Sequence, residues 1–232
     1  MALTALTTSM LLPQIKPGAL IASMGYPDLI APLDLFEKLL GVRFRAIKYR
    51  KDSERICKWH GLKTREIPDA DSVFEILGAK LSVFDIVETR GGEIICDLNE
   101  PLGLKEHYDF VLDVGTMEHC MNIGQAAKNM AGLLREGGLI FHGNPHNSGN
   151  HGFYGINPTW YHDFYSQAGF ELLFCKLMEK GSDEPVDVPL TGRFSCGAPE
   201  VNIFATARRN EIKPIIYPQQ TKYKGSAAWQ LA

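Results

Sequence analysis

The sequence predicts an α/β protein, with a doubly wound, mostly parallel seven-stranded sheet and an antiparallel C-terminal strand. Three observations carry this. Residues 108–141, YDFVLDVGTMEHCMNIGQAAKNMAGLLREGGLIF, read as strand, polar turn, amphipathic helix, glycine stop and strand, one complete βαβ unit. Upstream of it, short apolar runs alternate with helical patterns. Downstream, FELLFCKL (170–177) and VNIFATARR (201–209) follow each other with only a polar loop between them, which suits an antiparallel pair.

Taken in order, ALIASM (19–24) is a buried strand bounded by Pro17-Gly18 and Gly25-Tyr26-Pro27. LDLFEKLL (33–40) is helical and stops at Gly41. Residues 42–70 carry Arg43, Arg45, Lys48, Arg50, Lys51, Arg55 and Lys58, with a helix from Asp52-Ser53 to His60 stopped by Gly61. Asp71-Ser72 opens the helix SVFEIL (72–77), and the strands LSVFDI (81–86) and EIICDL (93–98) follow. DFVLDV (109–114) leads into a helix over 123–136, with Ile123, Ala127, Met130 and Leu134 on one face and Gly137-Gly138 as its stop. Asn157-Pro158 opens PTWYHDFYSQA, an N-cap followed by proline at the first helical position. Residues 1–210 are read as one domain with an insertion at about 33–70, and 211–232 as a surface tail.

Composition narrows the function classes. With 232 residues, 45% of them hydrophobic, the chain can bury one large core or two small ones. A formal net charge of -3 supplies no field for nucleic acid or anionic lipid, so a small-molecule partner is expected, with no nucleic acid and no membrane. No apolar run reaches the roughly 18 residues of a membrane helix. The five cysteines lack a C-x-x-C pair and read as buried small hydrophobes, in keeping with a cytoplasmic location. Oligomeric state stays open.

Parallel sheets bind ligands at the carboxyl ends of their strands, so the turn holding Asp113, Gly115, Thr116, Glu118 and His119 is where chemistry is expected. The order LSVFDI, EIICDL, YDFVLDVGTMEH, helix, GGLIFHGNP resembles the class I S-adenosylmethionine-dependent methyltransferases, closest to the small-molecule branch, over roughly residues 71–208. The resemblance implies a Rossmann-like methyltransferase fold and S-adenosylmethionine as cofactor. It places Asp85 on the ribose hydroxyls, Asp97 and Leu98 on the adenine edge, and the turn Asp113, Gly115, Thr116 under the methionine part. The family's glycine-rich first turn is replaced by Ser23-Met24-Gly25-Tyr26-Pro27-Asp28, where Ser23 and Gly25 are the remaining candidates for cofactor contact.

The activity so implied is methyl transfer to a small acceptor, a hydroxylated metabolite or sugar being the example. A hydroxyl or amine acceptor needs a base, and histidine suits neutral pH. His146 and His151, in the glycine- and asparagine-rich loop after the fifth strand, are the candidates, with Tyr154 as a positioning group. No metal is expected, because these histidines match no standard zinc spacing. The Glu118-His119 pair is read as bracing its turn, and Trp160, Phe164 and Ala168 as a packed helical stripe. The missing glycines leave a second reading, a non-catalytic methyltransferase-like binding or scaffolding protein. A nicotinamide enzyme is disfavoured, since no strand is followed by G-x-G-x-x-G.

Overall fold

Residues 2–41, 47–63, 66–104, 107–182 and 184–224 are described by the computed structural model. The chain divides into two compact units, Met1–Cys96 and Asp97–Ala232.

In the first unit, β1 (Ala2–Leu3) leads into α1 (Ala5–Leu11), a helix that the sequence reading had not anticipated. Its signal is Thr4, whose Oγ1 accepts a hydrogen bond from the Thr7 amide. β2 (Leu20–Met24) and β3 (Asp28–Leu29) follow, β3 pairing in parallel with β1. Then come α2 (Leu33–Leu40), α3 (Ser53–Trp59), α4 (Ala70–Ile76), β4 (Lys80–Asp85) and β5 (Ile94–Ile95). β2 pairs in parallel with β4, and β4 with β5. The six-residue strand expected at 93–98 is therefore only two residues long. Left-handed Gly91 and Gly92 precede it, and an Asp97–Asn99 turn follows.

One helix starts earlier than expected, and another starts where expected but without its side-chain cap. α4 is capped by Asp69, whose Oδ1 accepts from the Ser72 amide, so Asp71 falls in the first turn. Asp52 stands at the N-cap of α3 without capping it, since its carboxylate accepts from Arg50 and Arg55 instead. The basic residues of this stretch are not all at the surface: Arg50 is buried and also bonds Asp28, while Arg43 and Arg45 lie outside the described residues.

The second unit holds β6 (Tyr108–Val114), α5 (Ile123–Leu133), β7 (Leu134–Pro145), α6 (Pro158–Gln167), β8 (Phe170–Glu179), β9 (Val186–Asp187) and β10 (Val201–Arg209). β6 and β7 are parallel, and β10 runs antiparallel between β7 and β8, as the late strands suggested. β9 is a two-residue edge strand beyond β8. With β1, β3 and β9, the described residues hold three short strands beyond the seven expected. Gly137-Gly138 is not a helix stop. α5 ends at Leu133, Leu134 already pairs with Tyr108, and the glycines form the irregularity that restores register at Phe110. A Cβ at Gly138 would lie 2.9 Å from the Arg135 carbonyl, so only glycine fits there. Arg209 is buried at the end of β10 and donates to the Ala131 and Leu134 carbonyls, closing the end of α5. The tail is anchored to α6: Thr221 donates to Asp163, and the Gln167 side chain donates to the Gln219 carbonyl.

Among the described residues no helix is long and apolar enough to cross a membrane.

Candidate functional site

In the second unit the polar turn does lie at the carboxyl end of a parallel strand. Asp113 stands opposite His142 in the β6–β7 register, both fully buried. The Asp113 carboxylate accepts from His142 Nδ1 at 2.7 Å, from Asn144 Nδ2 at 3.1 Å and from the Met117 amide at 3.1 Å. With His142 Nδ1–H donating to that carboxylate, its Nε2 pairs with the Tyr165 hydroxyl at 2.5 Å. Asn144 divides its two amide protons between Asp113 and Glu118 Oε2 (2.9 Å), while its Oδ1 accepts from Tyr161. Two carboxylates, two tyrosines, a histidine and an asparagine thus share one buried network.

The network has one loose end. Glu118 is completely buried, yet its Oε1 has no hydrogen-bond partner. Two imidazole nitrogens face it, His151 Nε2 at 3.4 Å and His119 Nε2 at 3.8 Å, from half-exposed rings stacked on each other. Burial, with the Asp113 charge second, pushes Glu118 up to about 7. Burial lowers His119, and the neighbouring His151 lowers it further. Burial and then the Asp113 charge raise Tyr161 and Tyr165, which therefore remain hydroxyl donors at neutral pH.

The expected catalytic trio is not gathered at one point. His146 is half-buried: Nδ1 donates to the Ile156 carbonyl at 2.8 Å and the ring stacks on Phe194. Phe194 and Val201, which accepts from the His146 amide, line a cavity of about 180 Å³ with Ser195 and Cys196. His151 faces Glu118, and Tyr154 donates to the Met121 carbonyl.

Of the expected cofactor residues in this unit, Asp97 is exposed and its Oδ1 accepts from the Asn99 amide and side chain. Leu98 is buried, and its carbonyl accepts from Asn129 of α5. Gly115 is left-handed at φ +79, a conformation that favours glycine, and Thr116 follows at the mouth of the turn. In the first unit, Asp85 closes β4 half-buried, with Oδ1 accepting from the Val87 amide. Ser23 is buried and donates to the Gly25 carbonyl; left-handed Gly25 gives its amide to Phe84. Beyond it, the Arg90 guanidinium lies 3.4 Å from the centre of the Tyr26 ring, and Asp28 accepts from Arg50.

Sequence reasoning missed Asn144, Tyr161, Tyr165 and the central place of Glu118. Two signals were available. His142 and Asn144 are two apart on one strand, and Tyr161 and Tyr165 are four apart on one helix, so each pair shares a face.

No family model matches the chain, and no curated protein is similar to it. A putative methyltransferase from Bacillus halodurans C-125 is similar in structure, with a TM-score of 0.52 at 11% identity, covering 89% of this chain and 99% of that one. The 1,6-didemethyltoxoflavin-N1-methyltransferase of Burkholderia thailandensis, solved with 1,6-didemethyltoxoflavin and S-adenosylhomocysteine, gives 0.49 at 15% identity, over 89% and 79%. The N-methyltransferase NodS of Bradyrhizobium japonicum WM9, solved with S-adenosylhomocysteine, gives 0.49 at 12% identity, over 89% and 84%. The chain has the Rossmann-like α/β fold of the Bacillus halodurans methyltransferase structure.

Proposed function

We propose that the protein transfers a methyl group from S-adenosylmethionine to a small-molecule acceptor bearing a hydroxyl or amine, a hydroxylated metabolite or sugar being the class in view. The observation that carries this reading is His146. Its Nδ1–H is committed to the Ile156 carbonyl, so in the neutral ring the Nε2 lone pair is the one left for a proton. The ring stacks on Phe194, which also lines a cavity of about 180 Å³. His146 acts as the base, while the loop bearing His151 and Tyr154 positions the acceptor. Methyl transfer is an in-line displacement, so aligning acceptor, methyl carbon and sulfur supplies most of the acceleration.

The residues fit the cofactor in part. Asp85 and Asp97 each fix one oxygen locally, leaving Oδ2 for a hydroxyl or an amine. Gly115 and Thr116 offer a turn without a Cβ at its tightest point, and the Asp113 carboxylate, turned inward, holds that turn from below. When bound, the sulfonium supplies an activated methyl group. The turn at Ser23 and Gly25 fits less well, because the Gly25 amide is already bonded to Phe84 and Pro27 has no N–H.

That misfit favours the second reading, a binding or scaffolding protein on the same fold. A thermal-shift titration decides between them. A ligand at 100 times its Kd raises stability by about 2.7 kcal/mol, so S-adenosylmethionine or S-adenosylhomocysteine should raise the melting temperature. Asp85→Ala should abolish that shift, and His146→Ala should keep it while slowing turnover. No shift with either ligand would support the scaffold instead.

A further inference from the structure

We propose that Glu118, His119 and His151 form a binding site for a divalent first-row metal ion of the zinc class, with Glu118 Oε1, His119 Nε2 and His151 Nε2 as ligands. The site shares His151 with the loop assigned above to the acceptor, but it is read out with metal alone, so its failure and that of the methyl-transfer reading are distinguishable.

Geometry comes first. Zinc binds nitrogen and oxygen at about 2.0–2.2 Å, which sets neighbouring ligand atoms of a tetrahedron roughly 3.3–3.6 Å apart. His151 Nε2 lies 3.4 Å from Glu118 Oε1 and His119 Nε2 lies 3.8 Å from it, and one ligand atom from each of the three residues lies within 4.8 Å of the others. Small side-chain rotations close the remaining gap.

The donor that needs a partner is the carboxylate oxygen. Glu118 is fully buried and its Oε1 lacks a hydrogen bond, whereas buried polar atoms nearly always have one. Its other oxygen accepts from Asn144, which fixes the carboxylate with Oε1 toward the imidazoles. Both histidines are half-exposed, so an ion can enter from solvent.

The loop carrying His151 is built onto Glu118. Asn150 adopts the left-handed conformation at φ +58, which few residues other than glycine tolerate. A Cβ at Gly152 would lie 2.8 Å from the Glu118 carbonyl oxygen and 2.9 Å from its Cγ, so the chain can pass there only as glycine. The Phe153 amide then donates to the same carbonyl at 2.9 Å. Two imidazoles and one carboxylate favour zinc and its neighbours over magnesium or calcium, and three protein ligands leave a position for water or substrate.

The test uses the full chain without an affinity tag, stripped with chelator and titrated with Co²⁺ alone and then Zn²⁺ alone. One equivalent of Co²⁺ should give visible d–d bands of low coordination number, and one equivalent of Zn²⁺ should erase them. Glu118→Gln and the His119→Ala/His151→Ala double variant should each lose binding. Gly152→Ala keeps every ligand but moves the loop, and should weaken binding by roughly 10–100-fold, the usual size of an indirect effect. His107→Ala, at the far end of β6, should bind as wild type does. The proposal is overturned if folded protein binds no Co²⁺, leaving a plain Glu–His contact. It is overturned equally if binding survives in the double variant, or if thiolate charge-transfer bands trace it to the cysteines.

Discussion

Two strand-end turns in this chain start from the same backbone device and finish differently. Gly25 after β2 and Gly115 after β6 are both left-handed, at φ +84 and +79. Past Gly25, the turn is fixed by charge: Arg90 stacks on Tyr26 and pairs with Asp69, while Arg50 reaches Asp28 and Asp52. Past Gly115, the turn is fixed by neutral donors, the Asn144 amide and the Met117 N–H, and it holds two buried carboxylates. The first turn matches each acid with a guanidinium. The second leaves a carboxylate oxygen without a hydrogen bond and raises the affinity of Glu118 for a proton. The two turns therefore differ in whether their buried acids are neutralised.

The largest break in that comparison is Asp113→Ala. It would leave His142, Asn144 and the Met117 amide each short of a hydrogen bond in the buried core. Removing one partner of a buried charged network costs about 3–5 kcal/mol. For a chain of this size, the melting temperature should fall by on the order of 10 °C. A fall of a degree or two would mean that the network contributes little to holding the turn.

Next in size is the pH dependence carried by Glu118. Its folded value of about 7 lies above the ordinary 4.5, so the folded state binds the proton more tightly than the unfolded state does. This contribution is complete below about 4.5 and is lost as pH rises through 7. The total is on the order of 3 kcal/mol, from about 1.4 kcal/mol per unit. Glu118→Gln keeps the uncharged shape. With chelator present, its stability relative to wild type should grow between pH 5 and 8, followed by urea unfolding. Parallel stability curves for the two proteins would sink the assignment.

The same contrast explains what could be read from the sequence. Runs with one clear period, such as DFVLDV, the helix opened by Asn157-Pro158, and VNIFATARR, formed where expected. The position of the polar turn followed from them. α1 was missed because ALTTSML is short and rich in β-branched threonine, and only its cap favours the helix. Gly137-Gly138 misled because the pairing of Leu134 with Tyr108, 26 residues away, overrode a local stop signal. The buried network was hidden for a related reason. β7 is buried on both faces around His142 and Asn144, so no alternation separates its polar positions from packed ones. Nor can one sequence show that residues 113, 118, 142, 144, 161 and 165 converge. Asn129 shows the same limit: it lies within a helix, yet its amide donates to the Leu98 and Glu100 carbonyls and orders the turn that carries Asp97.

The finest probe of the comparison is Arg90→Lys in the first turn. Lysine keeps the positive charge near Asp69 but loses the flat guanidinium that lies on the Tyr26 ring. Tyr26 would still accept from the Asp71 amide, so the turn should keep its path. Only the stacking energy is removed, about 1 kcal/mol or less at a partly exposed site. Circular dichroism melts of the variant should therefore show a drop of a few degrees at most, with Co²⁺ binding at Glu118 unchanged. A drop as deep as that of Asp113→Ala would contradict the contrast, because it would make the charged turn as deeply embedded in the fold as the buried one.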